Sequence, residues 1–389
     1  MSEAQIVGWA HSKFGKSEAQ GTREPMAEVA LPALEHAGLQ PEDVDAMFVG
    51  VYNNGFTSQD FQGALVGMGA DALSRTPAMR TENACATGSA ALYSALDFVN
   101  SGRGRVALVV GAEKMTGIPT ARAGDILLSA SYREEEADID GGFAGLFGRI
   151  AQGYFQRYGD RSEELAMIAA KNHHNGLSNP FAHMRKDFSV EFCNTVSDKN
   201  PYVAAPLRRT DCSLISDGAA ALVVASAEVA AELKRAVAFR ARAHQNDVLA
   251  LSKRDPTEFD GARRAWAQAL EASGLSLDDL DFVETHDCFT IAEMIEYEAM
   301  GLAERGEGWK VAREGTTLKG GRLPVNPSGG LKSKGHPVGA TGVSMHVMAA
   351  MQLCGEAGEM QIEGANRAGV FNMGGAAVAN YVSILERVK

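Results

Sequence analysis

The chain has 389 residues, 45% apolar and 22% charged side chains and a formal net charge of -12, the profile of an ordinary soluble protein long enough for two or three packed units. The acidic balance argues against a nucleic-acid partner, which needs a basic face, and no apolar run approaches the roughly 18 residues of a membrane span. Cysteines at 85, 193, 212, 288 and 354 lack the CxxC spacing of a zinc site or redox dithiol, so free thiols are expected, in a cytoplasmic protein without a secretory leader.

The first clear element, MAEVALPALEHAGLQPEDVDAMFVG at 26–50, reads as an amphipathic helix ended by Gly38, an acidic turn and a strand. Around Ala78 to Ala84 a strand leads into Cys85, and TGSAALYSALDFV after it starts a helix. From 117 to 205 the composition shifts to Gly, Arg, Asn and aromatic residues, with one helix expected from Ser162 as N-cap, Glu163 and Glu164 lying in its first turn. A strand, SDGAAALVVAS, follows at Ser216.

The opening unit then returns. ARRAWAQALEASGLSLDDLDFVETH at 262–286 matches it without gaps, Gly38 answering Gly274, Asp43 answering Asp279 and Asp45 answering Asp281. A shorter insertion spans roughly 305–327, the loop SKGHPVGATG opens an Ala-rich helix, and NMGGAAVANYVSI reads as strand. Cys85 and His336 each stand three residues before a glycine at the mouth of an Ala-rich run. They therefore occupy matching places in two related α/β halves and should meet where the halves meet.

The chemistry follows from these places. A thiol at a helix N-terminus feels unpaired N–H donors and the positive end of the dipole, which favour thiolate, and the same donors can hold an oxyanion. His336, between Gly335 and Pro337, suits neither helix nor strand and offers a base of near-neutral pKa. HDCF follows the strand LDFVET, which puts His286 and Cys288 at the C-terminal end of that strand. The glycines of NMGG let backbone approach a substrate closely. Cys193, Cys212 and Cys354 match no motif and read as structural, and His173, His174 and His183 read as a solvated helix end. Lys332 and Lys334 flank the histidine loop, either solvated or facing an acidic substrate group.

Taken in order, CATGSAAL at Cys85, HDCF at 286–289, GHPVGATG at 335–342 and NMGG at 372–375 resemble the thiolase superfamily over essentially the whole chain, and HDCF resembles the sterol-carrier-protein-type thiolases. The resemblance implies an α/β thiolase fold of two duplicated halves in a five-layer αβαβα core. Residues 1–116 and 206–234 would form the N-terminal half, 117–205 an inserted loop domain over the site, and 235–389 the C-terminal half. It implies an acyltransferase acting on coenzyme A thioesters, without metal or redox cofactor. Cys85 would be the nucleophile, His336 its base, Cys288 the acid/base at the substrate α-carbon, and His286 a partner of His336 at the thioester oxygen. The Gly374 N–H would join that of Cys85 in a second oxyanion hole. Asn372, standing where commoner thiolases carry a second catalytic thiol, would only position neighbours or a water. Relatives also imply a homodimer or dimer of dimers paired through the strand before Cys85, and for some a small zinc-ribbon and oligonucleotide-fold accessory protein. A retro-aldolase on side-chain CoA esters and a non-catalytic acyl-CoA-binding subunit are the alternatives.

Overall fold

A computed structural model describes residues 4–389. Its strands are β1 (Gln5–His11), β2 (Ala46–Gly50), β3 (Ala78–Thr81), β4 (Val106–Glu113), β5 (Tyr202–Ala204), β6 (Leu207–Arg208), β7 (Gly218–Ala225), β8 (Val237–Asn246), β9 (Phe282–Glu284), β10 (Arg367–Gly374) and β11 (Ala379–Arg387). Nine of them run in the order β3-β2-β4-β7-β1-β8-β11-β10-β9, and β5 with β6 forms a separate hairpin. That order is close to its own mirror image, β2 answering β9, β4 answering β10, β7 answering β11 and β1 answering β8. Among the described residues, Gln5↔Ala238 and Ile6↔Val237 are the pairs that join the two half-sheets.

The duplication holds down to single hydrogen bonds. Helices Arg23–Ala37 and Asp260–Ser273 end at left-handed Gly38 (φ 78°) and Gly274 (φ 68°), a conformation that costs glycine nothing. In the acidic turns Asp43 Oδ2 accepts from Gln40 N and Asp279 Oδ2 from Ser276 N, both at 2.8 Å. Asp45 Oδ2 then accepts from the amides of Arg105 and Val106 at the start of β4. Asp281 Oδ2 accepts in the same way from Asn366 and Arg367 at the start of β10. Each aspartate sets the register of the parallel strand beside its own.

Helices Thr87–Asn100 and Val338–Leu353 pack on each other between the half-sheets, while Arg23–Ala37 and Asp260–Ser273 cover the outer faces. This gives the layers α, β, α, β, α. β4 and β7 are buried along their whole length, which explains their continuous apolar sequence. The two central helices touch through backbone. A Cβ on Gly88 would lie 2.6 Å from Val343 N, and one on Gly342 only 2.3 Å from Ser89 N.

The 117–205 segment departs from expectation. It holds helices at Thr120–Leu127, Arg133–Glu136, Gly142–Tyr158, Ser162–Gly176 and Val190–Asn194, where the sequence suggested one. The Gly-rich stretch from 142 forms a 17-residue helix, because its glycines seat against backbone: a Cβ on Gly145 would stand 1.9 Å from Asp140 O. Arg161, not Ser162, is the N-cap residue; the Ser162 hydroxyl instead bonds Asp160 Oδ1 at 2.6 Å.

Helix Ser162–Gly176 and the residues after it are stitched to the chain that leads to His336. Lys171 Nζ donates to Val325 O (3.0 Å), Asn175 Nδ2 to Asn326 O (2.9 Å) and Asn179 Nδ2 to Ser328 O (2.8 Å), three donors spaced four residues apart. Backbone bonds from His183 N to Lys334 O and from Met184 N to Ser333 O extend the seam.

Gly88→Ala should therefore lower stability by about 1–3 kcal/mol, the usual cost of forcing a methyl into close packing. Gly21→Ala, at an open position, should change it by less than about 0.5 kcal/mol. Equal urea midpoints for the two variants would contradict the backbone contact between the central helices.

Candidate active site

Cys85 stands at the mouth of helix Thr87–Asn100, in a tight turn where Ala84 has φ 48° and Asn83 N donates to Thr87 Oγ1 at 2.8 Å. A non-glycine residue with positive φ is a strained position, found more often at functional sites than elsewhere. The thiol is 3% exposed, in a cluster with Tyr52, Phe56, Met115, Ile126 and Val338. Burial pushes it up to about 12, aided by Glu113 and Glu82, while hydrogen bonds from backbone amides, that of Gly375 first, pull the other way. Desolvation outweighs the pull of the helix terminus toward thiolate, so the thiol is raised and not lowered. In NMGG the backbone amide of Gly375 (φ 63°) acts on the sulfur, and Gly374 passes close by, since a Cβ there would lie 2.4 Å from Asn83 O.

Cys85, His286 and His336 come together although the sequence separates them widely. The Cys85 sulfur and one ring nitrogen of each histidine lie within 4.8 Å of one another, and the two rings meet edge to face with centroids 5.0 Å apart. Their protonation is set by what stands behind them. Asn372 Nδ2 lies 3.2 Å from Cys85 O and 2.8 Å from His286 Nδ1, and its Oδ1 accepts from Ser89 Oγ at 2.7 Å. A carbonyl only accepts, so the amide nitrogen must face it, and the same nitrogen donates to His286 Nδ1. His286 then carries its proton on Nε2.

His336 is set the opposite way. Its Nδ1 lies 2.7 Å from Thr341 Oγ1, whose hydroxyl donates to Pro337 O at 3.0 Å. His336 Nδ1 is accordingly the N–H, and Nε2 keeps a free lone pair. Both Nε2 atoms are buried and without a hydrogen-bond partner among the described residues. One faces the site as a proton donor, the other as a proton acceptor. Burial lowers both histidines, His336 to about 3 with help from Lys334, and His286 well below the usual value with help from His336; both are neutral near pH 7. Three converging donors also match the ligand count of a catalytic metal site, but His286 presents N–H there and not a lone pair, so the set fits an acyl oxygen better than a cation.

Cys288 lies outside that trio but close enough to feel Cys85. It is buried, and its thiol is raised well above the ordinary value by burial first and then by Cys85. Segment 212–214 runs beside it: Ser213 N donates to Cys288 O and His336 N to Leu214 O. Leu214 also lines a cavity of about 630 Å³ whose wall holds Phe188 and Phe192 with the cations Lys186, Lys199, Arg209 and Lys332 and the acids Asp187 and Asp198.

Some side chains lie elsewhere than the sequence suggested. Lys332 and Lys334 are buried; Lys332 Nζ donates to Cys212 O, and Lys334 Nζ to Ser344 Oγ at 2.9 Å. His173 is buried against Phe188, not solvated, whereas His174 is exposed. Glu113 escaped notice altogether. Its carboxylate accepts from the amides of Tyr52, Asn53 and Gly339, so it caps the helix of His336 from the opposite half, and burial raises it to about 7. The signal was one acidic residue ending an otherwise apolar strand, VALVVGAE.

With Cys85 near 12 and His336 near 3, the resting pair stays neutral through the middle of the pH range. The ultraviolet thiolate band, taken as wild type minus Cys85→Ala, should be absent at neutral pH and emerge only in strong alkali. A band already present at pH 7 would mean a preformed thiolate–imidazolium pair.

Comparison with known proteins agrees with this geometry. The thiolase N-terminal domain matches residues 4–228 and the thiolase C-terminal domain-like family residues 242–387. An acetyl-CoA acetyltransferase of Methanothermobacter thermautotrophicus is 37% identical, with 100% of both chains covered. Human sterol carrier protein 2 is 32% identical over 96% of this chain and 70% of its own length. Among solved structures, an Ltp2-ChsH2(DUF35) aldolase superposes with a TM-score of 0.83 at 21% identity, covering 99% of this chain and 98% of that one. An acetyl-CoA acetyltransferase from Syntrophomonas wolfei gives 0.76 at 20% identity, with 100% of both covered. With both domains matched across nearly its whole length and Cys85, His286 and His336 gathered at the joint between them, the chain belongs to the thiolase family.

Proposed function

We propose that this thiolase-type acyltransferase works on coenzyme A thioesters through an acyl-enzyme on Cys85. The observation that carries the reading is the pair of opposed histidine tautomers around one thiol. His336 Nε2 takes the Cys85 proton as sulfur attacks the thioester carbon, so no buried ion pair need exist beforehand. Backbone amides at Cys85 and at the 374–375 turn receive the developing oxyanion, and the CoA thiol leaves. In the second half-reaction Cys288, its own proton first passed to His336 Nε2, removes a proton from the α-carbon of acetyl-CoA, and the enolate attacks the acyl carbon and expels the Cys85 sulfur, which takes the proton back from His336. In thiolytic cleavage of a 3-ketoacyl-CoA the Cys288 thiol gives its proton to the enolate. The thioester oxygen then meets His286 Nε2–H, with His336 beside it. Asn372 has no titrating group, and its part is to hold the His286 tautomer.

The cavity lined by Leu214 suits the CoA arm, with its aromatic side chains for adenine and its four cations against two acids for the phosphates. This chemistry needs no metal or redox cofactor. Five unpaired thiols accord with a reducing compartment such as the cytoplasm, and no described helix is long and apolar enough to cross a membrane. A homodimer through β3 is supported by its place at the sheet edge beside Phe61, Met68 and Met79, which are 81%, 64% and 54% exposed. An accessory protein of DUF35 type fits the solved aldolase assembly and is best sought by co-purification.

Cys85→Ala should abolish transfer, whereas Cys288→Ala should still take an acetyl group from acetyl-CoA onto Cys85, read by intact mass. It should fail to condense or cleave, with a loss of about 10²- to 10⁴-fold, the range of general acid/base catalysis. Asn372→Ala should cost clearly less, and near-normal turnover by Cys288→Ala would remove that thiol from the mechanism.

Sedimentation at micromolar concentration should give a dimer of the 41.2 kDa chain; a single monomeric species would refute pairing through β3.

A further inference from the structure

The aspartate of HDCF has no part in the acyl-transfer scheme, yet it is the most heavily engaged group beside it. Asp287 is buried, and its Oδ1 accepts from Leu331 N at 2.6 Å. Its Oδ2 accepts from Lys332 N at 3.1 Å and from Asn172 Nδ2 at 2.7 Å. The two amides open the short helix Gly330–Lys334, which ends at Gly335 immediately before His336. Gly330 takes φ 57° and passes so close that a Cβ would stand 2.3 Å from Asp287 Oδ2. One carboxylate, flanked in sequence by His286 and Cys288, thus clamps the helix that carries the base, and Asn172 ties that clamp to the loop domain.

We infer that Asp287 is a positioning residue that fixes His336 relative to Cys85, His286 and Cys288, holding the two motifs of the C-terminal half in one geometry. The inference rests on the acyl-enzyme reading for its kinetic meaning, but the clamp is a matter of hydrogen bonds alone. Losing it should leave the CoA cavity intact, since apart from Lys332 that cavity is walled by residues 173–214. The burden of the loss should therefore fall on the rate and not on affinity. An asparagine of the same size cannot replace the carboxylate, because its NH₂ would confront one of the three N–H donors.

The test uses the full chain with Asp287→Asn and, from the other side of the contact, Gly330→Ala. The first readout is alkylation of Cys85 by iodoacetamide, followed at peptide level, which needs His336 beside the thiol but no acyl-CoA. The second is the affinity for CoA by calorimetry, with thermal unfolding as the control for folding. Each variant should alkylate Cys85 roughly tenfold or more slowly, the scale of a small misplacement of a catalytic group, while binding CoA within about threefold of wild type. The double variant should be no slower than the slower single one, because both break the same contact. Wild-type alkylation rates in folded Asp287→Asn, or losses that multiply in the double variant, would overturn the inference. If Asp287→Asn does not fold, wild-type alkylation in folded Gly330→Ala has the same force. Failure of wild type to accept acetyl from acetyl-CoA would overturn the proposed function instead, leaving the alkylation comparison to stand or fall by itself.

Discussion

Everything at the centre of this molecule depends on two helices meeting without side chains between them. Thr87–Asn100 and Val338–Leu353 cross where Gly88 faces the backbone of Gly339, Gly342 and Val343, and strands β2 and β4 come in equally close through Gly50 and Gly111, whose Cβ atoms would lie 3.2 and 2.7 Å from Gly339 O. Dense backbone packing of this kind allows one relative placement of the halves. Since Cys85 and His336 stand at the two helix mouths, that single placement is also the distance between thiol and imidazole. Glu113 secures it from the side, its carboxylate spending three acceptor contacts on amides from both halves.

The duplication was legible because it lives in residues with special backbone roles. Gly38 and Gly274 end helices, Asp45 and Asp281 align strands, and such positions keep their identity while apolar partners drift. Cys85, His336 and HDCF stood out for the same reason, each sitting at the end of a regular element. What stayed hidden was set by burial, which no short window of sequence records. The pull toward thiolate at Cys85 was visible because the helix terminus is local, whereas the desolvation that outweighs it comes from Tyr52, Phe56, Met115, Ile126 and Val338, far apart in the chain. Lys332, Lys334 and His173 looked like surface residues for want of the carbonyls and rings that enclose them. The helix at Gly142–Tyr158 was obscured by glycines that usually weaken helices and here admit neighbouring backbone.

The buried polar groups behind the site form a continuous frame. Lys171 reaches Glu293, Tyr297 and Val325 O, Asn172 joins Glu293 to Asp287, and Glu284 accepts from Ser328. Nearly every lone pair in that frame has a donor, which is the condition under which buried charge stiffens a structure and does not loosen it. Within it Asn172 Oδ1 lacks a partner among the described residues, and so do the Nε2 atoms of His286 and His336 that face Cys85.

The seam of Lys171, Asn175 and Asn179 along residues 325–328 has a consequence for engineering. Loop domains look like interchangeable covers that set substrate choice on a constant core, and grafting one from a relative is an obvious way to change specificity. In this chain the 117–205 segment also supplies the donors for three carbonyls of the stretch leading to His336. A transplanted segment lacking donors at those three spacings would strip that stretch of its partners, and the chimera would lose the placement of His336 before it gained a new substrate.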